Sequence, residues 1–146
     1  MTHMKGKIFF DTNVLLYAYI DNQLSAKHKI CLKLVEGVFN GETEGVISNQ
    51  VLGEFSNVFI VRSGASVEDT ERAVSELIAS DNWTKLNYNS DTVKKALGTC
   101  RIYKTPFWDS VIAETMKENS ITNIITENDK DFDRIPGIMV TNPLKS

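Results

Sequence analysis

The sequence is poor in several features that would each point to a particular class of protein. Only two cysteines, Cys31 and Cys100, occur in 146 residues, too few for a disulfide framework, so reduced thiols and a cytoplasmic location are expected. No apolar run approaches the roughly 20 residues that span a bilayer. The opening MTHMKGK lacks the apolar segment of a secretory signal, so no membrane partner is expected.

Other absences exclude specific chemistries. The two histidines, His3 and His28, lie far from the acidic motifs described below, which argues against zinc. There is no glycine-rich phosphate loop, Walker lysine or nucleophile elbow. The formal net charge of −3 excludes nucleic-acid binding through bulk positive charge alone. With three prolines and no repeat or linker, the chain is predicted to be a single domain, 1–146.

Short apolar segments rich in β-forming residues alternate with segments of helical periodicity. The predicted strands are 7–10, 45–48, 83–87, 123–126 and 138–140. The predicted helices are 14–20, 25–36, 49–62, 66–80, 90–103 and 106–119. This alternation predicts an α/β three-layer sandwich, with a short, mainly parallel sheet of about five strands flanked by helices.

The stretch KIFFDTNVLLY places Asp11 directly after the first predicted strand. Sites in parallel sheets form at the carboxyl ends of the strands, where a functional acid would therefore lie. The alternative interpretation is structural, with Asp11 capping the following helix and Asn13 in an Asx-turn.

Two further acids interrupt apolar helix faces. Glu54 is followed by Phe55 and Val58 on the same helix, and a glutamate there either has a partner or reaches solvent at the edge of the face. Asp109 follows Trp108 in the first turn of a helix. The helix macrodipole alone would favour a carboxylate at that position.

The fourth predicted strand runs into ITENDKDF, which contains Glu127, Asp129 and Asp131. A solvated turn is the simpler interpretation, and we prefer it for Asp131. A parallel sheet can nevertheless bring all these acidic segments to one edge. Clustered carboxylates raise one another's pKa unless cations are present, and hard cations with oxygen ligands, Mg²⁺ or Mn²⁺, suit such a site.

Four segments together resemble the PIN-domain ribonucleases, especially small VapC-like toxins and related single-domain PIN proteins. They are FFDTNVLLY, SNQVLGEFSNV, FWDSVIAETMKEN and NIITENDKDFDRIPGIMVTNP. They cover almost the whole chain in the family's order. The resemblance implies a PIN-like fold and a metal-dependent endoribonuclease that hydrolyses RNA phosphodiester bonds, in some members as the toxin of a toxin–antitoxin pair.

The resemblance also implies roles for individual residues. Asp11, Glu54 and Asp109 would be catalytic acids that bind Mg²⁺ or Mn²⁺, and Glu54 could instead orient the attacking water. Thr126 and Glu127 match the family pattern, but Asn128 stands where an aspartate is common. Glu127 is therefore the first candidate for the fourth catalytic acid and Asp129 the second. The side chains expected to orient the acids are Thr12, Asn13 and Thr126.

RNA would need basic contacts outside the acidic pocket. The candidates are Lys27, Lys29 and Lys33 on one helix, or Lys94, Lys95, Arg101 and Lys104 near another, although ordinary solvated helix faces would look the same. A cognate antitoxin and a homodimer or higher homo-oligomer are further expected partners. The run Val58–Val61 cannot all face one core, so part of it should lie near a surface.

Two competing hypotheses remain. A response-regulator receiver domain also gathers acids at a sheet edge, but it needs an aspartate directly after strand three, where this chain reads LNYN. A catalytically weak or inactive PIN-like module that binds RNA or protein is favoured only by Asn128. A divalent-metal titration would separate that module from an active nuclease.

Overall fold

The computed structural model describes residues 6–20 and 25–145, so His3 lies outside the described residues. The strands within them are β1 (Lys7–Phe10), β2 (Glu44–Ser48), β3 (Trp83–Leu86), β4 (Asn123–Ile125) and β5 (Met139–Thr141). The helices there are α1 (Thr12–Tyr19), α2 (Ala26–Phe39), α3 (Asn49–Val61), α4 (Val67–Ala79), α5 (Ser90–Tyr103), α6 (Phe107–Glu118) and α7 (Asp129–Phe132).

The five strands form one sheet in the order β3-β2-β1-β4-β5, and every neighbouring pair is parallel. Ile8 on the central strand lies beside Gly45 on β2 and Asn123 on β4. The predicted parallel α/β architecture is therefore confirmed.

Both faces of the sheet are covered. Successive strand residues point to opposite faces, yet Ile8, Phe9 and Phe10 are all buried, as are Ile124 and Ile125. A parallel sheet with continuous buried strands requires helices on both sides. The arrangement is the three layers that the alternating pattern predicted.

Side-chain caps explain where several helices begin. Ser25, Ser48 and Ser66 each accept a hydrogen bond from a backbone N–H in the first turn of the helix that follows, which satisfies a donor that has no partner inside the helix. Before α5, Asn89 and Thr92 form a reciprocal capping box.

Most strands and helices differ from the sequence prediction by one or two residues at an end, and three helices differ in ways that matter for the site. Helix α1 begins at Thr12 rather than Val14, because Asp11 itself is the capping residue. Helix α2 continues to Phe39. Helix α7 is absent from the sequence prediction, which favours a solvated turn at ENDKDF. It forms because Phe132 is fully buried and anchors the short turn to the core.

The strand order creates a crevice at the carboxyl ends of β1 and β4. From β1 the chain goes to β2 on one side, and β4 later pairs on the other side, so the two halves of the sheet diverge there. Asp11 directly follows β1 and Thr126 directly follows β4. The Asp11 N–H still donates to the Ile125 carbonyl at 3.2 Å, which holds the two strand ends together.

Candidate metal centre

Asp11 lies at the centre of the crevice and is only 4% exposed. Its Oδ1 accepts from the Thr12 N–H at 2.7 Å, and its Oδ2 accepts from Thr126 Oγ1 at 2.7 Å and Asn13 Nδ2 at 3.4 Å. The capping alternative is thus correct for the helix start, but the bond from Thr126 goes beyond a cap. Thr126 ties the carboxylate to the neighbouring strand end.

Burial dominates the electrostatics of Asp11. Loss of solvent raises the pKa of this carboxyl to about 6. The donors Thr126, Thr12 and Asn13 stabilise the charged form and oppose that rise, and the charge of Glu54 adds to it. All the donors are neutral, so no basic side chain of the described residues balances the charge.

Glu54 reaches the same region from α3. Its Oε1 accepts from Thr12 Oγ1 at 3.0 Å and from Gln50 Nε2 at 3.3 Å. Gln50 Nε2 also donates to the Trp108 carbonyl at 3.2 Å. The glutamate is therefore held by the helix that Asp11 caps and, through Gln50, by the start of α6.

Asp109 occupies the first turn of α6 and is partly buried. Burial raises the pKa of this carboxyl to about 7, and the charges of Asp11, Asp131 and Glu54 add to the rise. Within residues 6–20 and 25–145, its side chain forms neither a hydrogen bond nor an ion pair. The structure thus brings the three predicted acids Asp11, Glu54 and Asp109 into one electrostatic neighbourhood.

The other predicted acid, Glu127, has a different set of partners. Its carboxylate accepts from Tyr17 Oη at 2.8 Å and pairs with Lys27 Nζ at 2.8 Å. The hydrogen bond from Lys27 is the main cause that lowers the pKa of Glu127. These described contacts of the Glu127 carboxylate are with Tyr17 and Lys27 and not with Asp11, Glu54 or Asp109.

Asp129 also forms an ion pair with a lysine. It pairs with Lys145 at 2.7 Å and accepts from Asn142 Nδ2 at 3.1 Å, and the Lys145 contact lowers its pKa. Asp131 is different, because its charge acts on Asp109 and its side chain has no ion pair in the described chain. Asp131, for which the sequence favours a solvated turn, is therefore a further acid close enough to Asp109 to raise its pKa.

One local signal in the sequence could have indicated Asp131. Asn128 is a residue type common at helix N-caps, and the acids and Phe132 that follow fit one amphipathic turn. The Asn128 N–H donates to Thr126 Oγ1 at 2.9 Å. Since Thr126 also binds Asp11, α7 begins close to that acid. The same turn places Asp129 toward Lys145 and leaves Asp131 near Asp109.

The four acids suit a hard cation by their chemistry. All supply oxygen ligands, and none forms an ion pair with a described lysine, arginine or histidine. In the described ranges, however, no three His, Cys, Asp or Glu side chains are grouped closely enough to hold a metal ion by themselves. A cation would therefore need water or substrate oxygens as well, as Mg²⁺ usually does.

The candidate RNA contacts fall in separate places. Lys27 lines a cavity of about 560 Å³ beside the acids, together with Lys130, Lys145 and Asp131. Lys33 lines another cavity, and Lys94, Lys95 and Arg101 line a third. Of the two predicted sets, Lys27 therefore lies in a cavity that is also lined by Asp131.

A comparison with known protein families identifies the family of this chain. Residues 8–138 match the family model described as the PIN domain. The chain belongs to the PIN-domain family. The match includes every acid discussed above, and it confirms the resemblance seen in the four sequence segments.

Solved structures with the PIN-domain fold overlay this chain over most of its length. A chain of a toxin–antitoxin complex from Klebsiella pneumoniae has a TM-score of 0.68 and 22% identity, covering 95% of this chain and 99% of that one. VapC20 of Mycobacterium tuberculosis, a sarcin–ricin-loop-cleaving toxin, has a TM-score of 0.63 and 21% identity, and the overlay covers 80% of this chain and 86% of VapC20. A chain of VapBC-1 from nontypeable Haemophilus influenzae has a TM-score of 0.65 and 20% identity, and the overlay covers 96% of this chain and 100% of that one.

No curated protein matches the sequence. In the part of the chain that the structure describes, none of the helices has the length and apolar character needed to cross a bilayer.

The raised pKa of Asp109 gives a pH-dependent stability prediction. Its folded pKa of about 7 lies above the ordinary 3.8, so its contribution to stability is fully present below about pH 3.8 and is lost as the pH rises through 7. Asp109→Asn removes the repulsion. In EDTA it should raise Tm by several degrees at pH 8, with a smaller rise at pH 5.

Asp11→Asn is the matched comparison. An asparagine cannot accept all the hydrogen bonds from Thr12, Asn13 and Thr126, so the rise in Tm at pH 8 should be smaller for this variant or absent. Calorimetry of both variants across the pH series checks this. A Tm for Asp109→Asn below that of the parent at pH 8 would show that Asp109 stabilises the fold as a helix-terminal charge.

Proposed function

We propose that this PIN-domain chain is an endoribonuclease that depends on Mg²⁺ or Mn²⁺ and serves as the toxin of a toxin–antitoxin pair. The observation that carries the proposal is the set of unpaired acids at the crevice between β1 and β4. Asp11 and Asp109 both have pKa values raised toward neutrality. Sites with such carboxylates and no balancing cation are candidates for catalysis.

The acidic residues would have the following roles in binding the metal ion. Asp11, Glu54 and Asp109 would contribute ligands to the cation alongside water or substrate oxygens, and Asp131 would be the fourth acid in place of Glu127. When bound, Mg²⁺ or Mn²⁺ supplies charge neutralisation at the phosphate and a water of lowered pKa. Hydrolysis forms a bond from the water oxygen to phosphorus, and the bond from phosphorus to a ribose oxygen breaks.

The neutral neighbours fix the positions of the acids. Thr126 and Asn13 hold one oxygen of Asp11, and Thr12 holds Glu54 through its hydroxyl while its N–H binds Asp11. Thr12 thus connects Asp11, the capping residue of α1, with Glu54 on α3. Glu54 keeps an oxygen, Oε2, without a hydrogen-bond partner among the described residues, and that oxygen is available to a cation or to a water proton.

The single experiment that tests the function is cleavage of a mixed-sequence RNA pool with Mg²⁺, with Mn²⁺ and with EDTA. Cleavage should occur with either ion and stop in EDTA. Asp11→Asn and Asp109→Asn should each reduce it to the level of a no-enzyme control. Asp69→Asn, a surface acid paired with Arg72 on α4, is the matched control and should cleave like the parent.

Cleavage that continues in EDTA, or that survives in both centre variants, would contradict the proposal. Tight metal binding without cleavage of any RNA would instead support the inactive-module alternative. That alternative rests on Asn128, whose side chain carries no charge.

The fourth acid can be assigned by comparing three conservative variants. Asp131→Asn should lower the cleavage rate about tenfold or more, because it removes a carboxylate from the centre. Glu127→Gln and Asp129→Asn should each change the rate less than about threefold, because those acids are already paired with Lys27 and Lys145. Rates across a Mn²⁺ series make the comparison. A large loss in Glu127→Gln with none in Asp131→Asn would restore the assignment made from the sequence.

The partner prediction rests on apolar side chains that the fold leaves exposed. Val61 at the end of α3 is 70% exposed and Ile30 on α2 is 40% exposed, which agrees with the expectation that Val58–Val61 cannot all face one core. Similar structures are toxin–antitoxin complexes. The proposed partners are a cognate antitoxin and a second copy of this chain.

Light scattering at high micromolar concentration and affinity purification from the native host test this association. Self-association or a co-purifying small protein is expected, and Val61→Lys should weaken it without lowering Tm, since Val61 is solvated. A parent protein that stays monomeric and brings down no partner would contradict the prediction.

A further inference from the structure

We propose that a cavity between α3 and the start of α6 binds one unpaired nucleobase of an RNA substrate, stacked on Trp108. The inference rests on the proposed endoribonuclease function and adds a recognition site to it. The cavity measures about 380 Å³, within the size range of small-molecule sites, roughly 300–1,000 Å³.

The lining of the cavity suits a flat, uncharged group with polar edges. Two aromatic residues, Trp108 and Tyr88, lie beside the side-chain amides of Asn49, Gln50 and Asn57. No lysine or arginine is among its lining residues, so it is not built for a phosphate. A nucleobase combines an aromatic face with hydrogen-bonding edges, and proteins read unpaired bases by stacking and edge contacts.

Trp108 presents the stacking surface. It is 49% exposed, whereas Trp83, the other tryptophan, is 1% exposed. Phe107 packs edge-to-face against the indole, with ring centroids 5.0 Å apart and planes at 70°. The indole is therefore supported on one side while part of its surface remains in solvent, where burial under a base would be favourable.

Gln50 supplies an independent observation. This residue is 7% exposed, and its Nε2 donates to Glu54 and to the Trp108 carbonyl. Its Oε1 is buried and has no hydrogen-bond partner among the described residues. A buried amide oxygen without a donor is costly. Because Gln50 lines the cavity, a small shift of its side chain toward a bound base would let a donor on the edge of that base satisfy the oxygen.

The same contacts connect the cavity to the proposed chemistry. Glu54 lines the cavity and belongs to the acidic centre. Asp109 directly follows Trp108 in the chain. A base stacked on Trp108 would therefore flank the phosphate held at the centre, and its fit would determine which bond is presented. A base in a duplex is already stacked and paired, so the cavity selects single-stranded RNA.

Gly53 keeps the cavity open. It lies on α3, and a Cβ atom added there would meet no heavy atom within 4 Å. A larger residue at this helical position would extend into the cavity without disturbing the core. Gly53→Leu is therefore a blocking variant whose fold should be retained, because leucine is also a better helix former than glycine.

The test measures binding separately from cleavage. Affinity for a short dye-labelled single-stranded RNA is measured by anisotropy in EDTA and again in Ca²⁺, alongside tryptophan emission. The RNA should quench the emission of Trp108 in the parent protein. Trp108→Ala and Gly53→Leu should each weaken binding about 5- to 150-fold, and Trp108→Phe should keep most of it.

Ile78→Ala is the matched control, since Ile78 is 52% exposed on α4 and lines none of the cavities described above. It should bind RNA like the parent. A duplex of the same sequence should bind more weakly to the parent and should be affected little by Gly53→Leu. Unchanged Tm for the variants shows that a loss of binding comes from the cavity.

The outcomes separate this inference from the proposed function. Cleavage of RNA by the parent, with binding and cleavage unchanged in Trp108→Ala and Gly53→Leu, would overturn the base site and leave the nuclease intact. RNA binding that depends on Trp108, with no cleavage in Mn²⁺, would support the base site and overturn the nuclease. Loss of protein-partner binding alone in both variants would show that a partner side chain fills the cavity, and would overturn the proposal.

Discussion

The hydrogen bond from Thr126 to the buried carboxylate of Asp11 is the contact on which the geometry of the centre depends. It joins the ends of β1 and β4 at the point where the two halves of the sheet diverge. The other oxygen of Asp11 caps α1 and so fixes the direction in which Thr12 reaches Glu54. One carboxylate therefore sets the start of a helix, a contact between strands and the position of a second acid.

The acids around this point fall into two electrostatic classes. Glu127 and Asp129 are paired with lysines, and their pKa values are lowered. Asp11 and Asp109 are buried and close to other acids, and their pKa values are raised. The paired acids are stable without further ligands, whereas the central acids destabilise the fold at neutral pH unless a cation binds. This difference in pKa direction distinguishes the candidate metal-binding acids from their neighbours more directly than proximity in sequence does.

Much of this could be predicted from the sequence because strong local patterns carry it. Continuous apolar strands fixed the parallel sheet, and Asp11, Glu54 and Asp109 each interrupt an apolar pattern at a strand end or helix face. Asp131 could not be predicted in the same way. Its position depends on the four-residue helix α7, on the burial of Phe132 and on the ion pair between Asp129 and Lys145. The contact of Gln50 with the Trp108 carbonyl joins residues 58 positions apart, which no local pattern indicates.

That long-range contact also explains why recognition and chemistry would be coupled in this chain. Gln50 holds the carboxylate of Glu54 with the same nitrogen that holds the backbone of Trp108. A ligand that moves Trp108, the residue directly before Asp109, would therefore also disturb the hydrogen bond to Glu54. Because hydrogen bonds in a partly buried network depend on one another, occupancy of the cavity would also affect the placement of Glu54. The cavity beside the acidic centre thus acts on the same side chains that would carry out the hydrolysis.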